Sequence, residues 1–163
     1  MFTTDILLKG KHATYAEFLS KTTEQNNKSK KVAGVFDTLY DVYATGAVIG
    51  LYFGLKSPED KDSTDSKRIF AEKVIKEQLN LQFIYRLVML VDNSLTTNEE
   101  KVARAFKDED NKDNMQLFNS YVRGGIEWLY EQFTSTASTK DEYLEKIYDI
   151  VSEFKQEIEM ANQ

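Results

Sequence analysis

The sequence predicts an all-α, single-domain helical bundle of about five to seven helices around a buried, glycine-rich central helix. Three observations predict it. A single proline in 163 residues leaves room for long uninterrupted helices. Apolar residues recur at spacings of three and four along most of the chain. Residues 35–55, VFDTLYDVYATGAVIGLYFGL, carry no charge after Asp41 until Lys56. In that stretch Leu39, Tyr40, Val42, Tyr43, Ala47, Val48, Ile49, Leu51, Tyr52 and Phe53 go right round a helical wheel, so the helix must be buried on most sides. Gly46, Gly50 and Gly54 fall at spacing four and lie along one ridge. Interior glycine costs about 1 kcal/mol relative to alanine. The ridge is therefore expected to serve the close approach of a neighbouring helix.

Length and composition bound the rest. A chain of 163 residues fits one domain and buries roughly 70% of its unfolded surface. Residues 1–33 read as an N-terminal extension of that domain and residues 139–163 as a C-terminal amphipathic helix. Hydrophobic content of 41% and aromatic content of 12% fit a packed core rather than a disordered chain. The absence of cysteine excludes disulfides and thiolate metal sites, and fits a reducing cytoplasm. Net charge of −6 implies a mixed-charge surface without the clustered Lys and Arg of a broad DNA footprint. The start, MFTTDILLKGK, lacks a basic region followed by an apolar run, so no signal peptide is expected. Residues 42–55 rise only about 21 Å as a helix, against a hydrocarbon core of ~30 Å, and are not expected to cross a membrane.

Taken in order, Ile6, Leu7 and Leu8 form a short strand or an anchor. Residues 12–21 read as a short helix with Tyr15, Phe18 and Leu19 inward. Residues 22–31 are a polar loop holding Lys28, Lys30 and Lys31, three lysines that suit a solvated connector better than a nucleic-acid site. The central helix follows. Residues 57–66, with Pro58, form a turn and loop. Ser66 is placed to cap a helical region over 67–91, with a phase shift near Asn80 that allows two helices with a break. Arg86 stands alone in the apolar run 83–91, where it either pairs with Asp41 or snorkels to the surface; snorkelling is the preferred reading. Thr97 and Glu100 form a capping box for a short helix over 98–106. Residues 107–114 are an exposed loop. Residues 113–133 read as a helix, with Gly124-Gly125 in its middle marking a kink or a close backbone contact. Thr139 and Glu142 suggest a capping box for the last helix. Its stripe is Tyr143, Leu144, Ile147, Tyr148, Val151, Phe154 and Ile158, opposite an acidic face.

No catalytic, cofactor-binding or metal-ligating residue emerges. The lone His12 lacks ligand companions at helical spacing and reads as a surface residue. One histidine leaves almost no room for a Ser–His mechanism. The glycine series lies inside an apolar helix and does not follow a strand, so it fails as a nucleotide loop. The acidic pairs Asp108 with Asp110 and Asp141 with Glu142 sit in loops or at helix starts, where solvation and capping account for them. Residues 108–113 lack the spacing of an EF-hand.

Two stretches carry a resemblance. GVFDTLYDVYATGAVIGLYFGLKSPED, residues 34–60, is similar to a pattern of a start signal, an apolar helix with Ala-x-x-x-Gly-like spacing, a second Gly, and a basic residue before a proline-containing loop. FNSYVRGGIEWLYEQF, residues 118–133, is similar to an aromatic-x-x-Tyr-x-x-Gly-Gly-hydrophobic-Glu pattern. NLQFIYRLVMLVDNS supplies an apolar helix between them. This order, over residues 34–133, resembles the small accessory proteins encoded beside bacterial DNA-phosphorothioation and related phage-defence systems; Lys56 stands where that pattern has arginine. The resemblance implies an accessory role in DNA modification or restriction and supplies no catalytic residues.

The expectation is then a cytoplasmic, non-catalytic accessory or adaptor protein acting through protein–protein contacts. Its partner would be a DNA-modifying or restriction enzyme. No cofactor, no membrane and no direct DNA binding are expected. The alternative is an acidic inhibitor or DNA mimic that binds a nucleic-acid enzyme, motivated by the net charge and the acidic last helix. An enzyme with a carboxylate-based site is the third reading.

Overall fold

The structure is a computed structural model that describes residues 1–20, 34–95, 97–107, 111–134 and 140–161. Among these residues the order is β1 (Ile6–Lys9), α1 (Lys11–Leu19), α2 (Leu39–Tyr52), β2 (Ser66–Ile69), α3 (Ala71–Lys76), α4 (Gln78–Val91), α5 (Asn98–Phe106), α6 (Lys112–Thr134) and α7 (Lys140–Ala161). The fold is mostly helical, as the periodicity predicts, with one small antiparallel sheet added.

α2 starts where its chemistry says it should. Thr38 and Asp41 form a capping box, the Asp41 N–H donating to Thr38 Oγ1 at 3.3 Å and the Thr38 N–H to Asp41 Oδ2 at 3.0 Å. Asp41 thus serves the helix start, while the Arg86 guanidinium lies 5.0 Å from the Phe106 ring centre. The helix ends at Gly54, which corrects the expected three-glycine ridge. Gly54 lies beyond the last turn at φ 66°, with open space where a side chain would go. Its N–H donates to Leu51 O at 3.1 Å and the Leu55 N–H to Gly50 O at 2.7 Å, the paired bonds of a Schellman end. Gly54 is present for its left-handed backbone, not for packing.

Gly46 and Gly50 do face a neighbour, and that neighbour is α6. A Cβ built on Gly50 would collide with the carbonyl oxygen of Tyr121, and one on Gly46 would lie 2.9 Å from Val122 O. Gly124 and Gly125 answer from the other side. A Cβ on Gly125 would strike the carbonyl oxygen of Gly46, and one on Gly124 that of Leu55. The two helices therefore touch backbone to backbone, and the glycine pair in α6 makes the expected close contacts. Around this seam Tyr43, Phe118, Tyr85 and Phe2 pack their rings edge-on or tilted, with centroids 5.6–6.2 Å apart.

β1 and β2 pair with Ile6 opposite Ile69 and Leu8 opposite Lys67. This overturns the expected helix start at Ser66. Ser66 pairs with Lys9 in the ladder, and tertiary pairing overrides a local capping signal. Helix begins only at Ala71 and breaks at Glu77, which ends α3 and precedes α4. The phase shift near Asn80 marks that break, and Asn80 itself donates to Tyr40 Oη at 2.7 Å. Thr97 and Glu100 form the expected capping box of α5. In α1 Leu19 is buried and Tyr15 stacks on Tyr130 at 3.8 Å, whereas Phe18 is exposed and meets Tyr130 with its edge. Lys28, Lys30, Lys31, Asp108, Asp110 and Thr139 lie outside the described residues.

Candidate functional site

Three places concentrate chemistry: two buried polar clusters and the outer surface of α7.

The first cluster centres on Glu127 of α6. Oε1 accepts from Ser57 Oγ at 2.6 Å, lies 2.8 Å from Lys11 Nζ and lies 2.8 Å from His12 Nε2. Arg123, one turn back, donates from Nε to Ser57 O at 2.8 Å. His12 is only 1% exposed, which corrects its reading as a surface residue. Its companions come from 45 and 115 residues away, so spacing along the helix could not reveal them. Burial pushes the His12 imidazole below its ordinary value. Burial opposes the charge on Glu127, but Lys11, Ser57 and His12 outweigh it and hold the carboxyl below its ordinary range.

A serine, a histidine and a glutamate in contact invite comparison with a nucleophilic relay, and the geometry differs from one. In a relay the acid holds one ring nitrogen and the serine the other. Here Ser57 Oγ and His12 Nε2 converge on the same Glu127 oxygen, and Ser57 lies 3.4 Å from that same Nε2. The group acts as a clamp joining α1, the segment after α2 and α6. Beside it is a cavity of about 90 Å³, lined by His12, Tyr43, Asn119, Arg123, Lys9 and Glu59 among others. Of its lining, Tyr43 Oη donates to Asn119 Oδ1 at 2.7 Å, and His12 Nδ1 is buried without a partner among the described residues.

The second cluster centres on Asp92, at the end of α4. One oxygen accepts from Lys56 Nζ at 2.8 Å and from Tyr121 Oη at 2.6 Å. The other accepts from Arg104 Nη1 at 3.2 Å, the Ser94 N–H at 3.0 Å and Ser94 Oγ. Arg104 Nη2 also donates to Met89 O at 2.6 Å. Burial opposes the charge, yet bonds from Lys56, Ser94 and Tyr121 drive the Asp92 carboxyl far below its usual range. Every acceptor site is committed, so this network holds α4, α5 and α6 together.

A family model for DNA sulphur modification system-associated protein 4 matches residues 14–163. The chain belongs to that family. The match bears out the resemblance carried by residues 34–60 and 118–133, and it places this family member among the proteins associated with DNA phosphorothioation. Glu127, Ser57, Arg123 and the whole Asp92 cluster lie within the matched residues, while Lys9, Lys11 and His12 precede them. No curated protein and no solved structure matches the chain.

The third place is α7. One stripe is anchored: Tyr143 lies parallel to Phe133 at 5.7 Å, Phe154 meets Tyr52 at 4.7 Å, and Tyr52 Oη donates to Glu157. The expected single stripe therefore divides. Tyr143, Ile147, Ile150 and Phe154 pack inward, while Leu144, Tyr148, Val151 and Ile158 stay exposed, Tyr148 by 72%. By helical geometry Asp141, Glu145 and Glu159 border this outer stripe, and Lys155 falls within it, 4.0 Å from Glu159. Among the described residues no group of three or more His, Cys, Asp or Glu could hold a metal ion, and no helix is long and apolar enough to cross a membrane.

Proposed function

We propose that the chain is a non-catalytic adaptor of its DNA sulphur-modification system, and that it binds a basic, amphipathic helical segment of a partner protein along α7. The observation that carries this reading is the outer face of α7. Four large apolar side chains stand in water there, beside a helix with seven acidic and three basic residues. An exposed apolar patch with a charged rim is the usual form of a protein-docking surface. The acidic rim selects a basic partner and speeds encounter with it.

Electrostatics support a protein partner over duplex DNA. DNA affinity requires cations free to meet phosphates. Lys9, Lys11, Lys56, Lys67, Arg68, Lys73 and Arg104 each lie within 3.2 Å of a carboxylate oxygen. The rival reading, an inhibitor that imitates DNA, draws on the same acidic helix. An activity assay separates the two: an adaptor leaves the partner enzyme active or activates it, and an inhibitor silences it.

The test is co-purification with the other proteins of the modification system, each in turn, with size-exclusion chromatography as the readout. One of them is expected to form a salt-sensitive complex that the Tyr148→Ser, Val151→Ser double variant loses. Tight binding of the isolated chain to duplex DNA, unchanged by those substitutions, would overturn the reading.

A further inference from the structure

The cavity beside the Glu127 clamp holds more polar capacity than the fold uses. His12 lines it with Nδ1 unpartnered, at a residue 99% removed from solvent. Asn119 spends its oxygen on Tyr43, and its amide nitrogen makes no hydrogen bond among the described residues. Arg123 spends Nε on Ser57 O, and its two terminal nitrogens make no hydrogen bond there either. Lys9, paired with Glu59 at 3.1 Å, stands at the rim. A buried acceptor without a partner is costly unless something occupies the space, and the Arg123 guanidinium on the same cavity also feels the charges of Glu59 and Glu127.

The donor set defines the occupant. Arg123 and the Asn119 amide offer only protons, so they call for an oxyanion. His12 offers the opposite. With Nε2–H directed at Glu127, a neutral ring presents Nδ1 as a bare acceptor, which calls for an O–H. A group that accepts from Arg123 and donates to His12 is an oxyanion carrying a proton. A volume of about 90 Å³ admits a tetrahedral group a few waters in size, and not a nucleoside.

We propose that this cavity is a binding site for a protonated tetrahedral oxyanion of the hydrogen-phosphate class, held by Arg123 and Asn119 and selected by His12 Nδ1. Sulfate has the same shape and no proton at neutral pH, so it satisfies Arg123 and leaves His12 unpartnered. Both ions also stabilise proteins generally by exclusion from the surface, which makes sulfate the proper control.

The chain has one histidine, so its imidazole nitrogens give a single set of NMR signals. Inorganic phosphate is expected to move the His12 Nδ1 signal saturably and to raise Tm by about 3 °C at roughly ten times its dissociation constant. Sulfate at the same ionic strength should move neither to a comparable degree. A small phosphomonoester such as glycerol phosphate distinguishes the sources: binding as tight as phosphate points to a terminal phosphoryl group, and much weaker binding to the free ion. Arg123→Gln should abolish the response. Lys9→Gln, at an exposed site, should weaken it several-fold, and Glu59→Gln should strengthen it by removing a competing carboxylate. Equal effects of sulfate and phosphate, a stationary His12 signal, or a response that ignores both Lys9→Gln and Glu59→Gln would overturn the proposal.

Discussion

The α2–α6 seam and the α7 face are both apolar and both helical, yet they obey opposite rules. At the seam the side chains have been removed until backbone meets backbone: Gly46, Gly50 and Gly125 leave no room for a Cβ. On α7 the outer side chains are large and touch little; Leu144, Tyr148 and Val151 are all more than half exposed. The seam is specified by what is absent and tolerates no additions. The outer face is specified by what is present and has little to lose when it changes. Apolar content alone therefore separates nothing; the space beside each residue does.

Substitutions sharpen that contrast, from the largest effect to the smallest. Gly125→Leu or Gly50→Leu should each cost about 3 kcal/mol or more, because the obstructing atoms are backbone and cannot rotate away. Urea midpoints measure this, and a Gly50→Leu protein as stable as its parent would show that the seam can open. Asp92→Ala should cost about 3 kcal/mol by leaving Arg104 buried without its carboxylate, again read from urea midpoints.

The pH dependence comes next. His12 titrates below its ordinary 6.5 in the fold, so the unfolded chain takes up the proton first. Stability is complete above about pH 6.5 and falls as the pH drops from there toward the folded value. His12→Gln, which keeps a donor for Glu127, should flatten that slope in urea titrations between pH 7 and pH 5. Asp92 and Glu127 titrate below their ordinary 3.8 and 4.5, so their contribution persists above those values and is lost only as pH falls through the depressed ones. Last and smallest, Tyr148→Ser should change stability by no more than about 0.5 kcal/mol, since it touches little. If it instead lowers the urea midpoint as the seam substitutions do, α7 is core on both sides and the contrast fails.

How much of this was legible in the sequence follows from which residues had to meet. Local signals read well. Thr38 is followed three residues later by Asp41, and Thr97 by Glu100; the caps need only their own turn of helix. The apolar wheel of residues 39–53 read rightly for Tyr40, Val42, Tyr43, Ala47 and Ile49, which are buried, and not for Val48, Tyr52 and Phe53, which are exposed; Gly124-Gly125 marked a kink or a close contact. Gly54 was misplaced because a spacing of four cannot tell an interior glycine from one just beyond the last turn. Ser66 was misplaced because its fate depends on Lys9, 57 positions earlier, in a strand pair that alternation over four residues barely encodes. His12 was read as exposed for the same reason: nothing near it in sequence reveals Glu127 or Ser57. The last helix read as one stripe, since a wheel shows adjacency and not which half of a broad apolar arc a neighbour will cover.

The Schellman end at Gly54 has a dynamic consequence. It turns the chain so that two consecutive residues serve different centres: Lys56 reaches Asp92, and Ser57 reaches Glu127. The same few residues are bonded to α6 through the Ser57 N–H to Ser120 O at 3.0 Å and to α2 through the Leu55 N–H to Gly50 O. Opening that short segment breaks both polar clusters at once, so it has no cheap local fluctuation of its own. In native-state hydrogen exchange the Leu55 and Ser57 amides, though they lie in a connection between elements, should exchange with the slow protons of α2 and α6 rather than with loop protons.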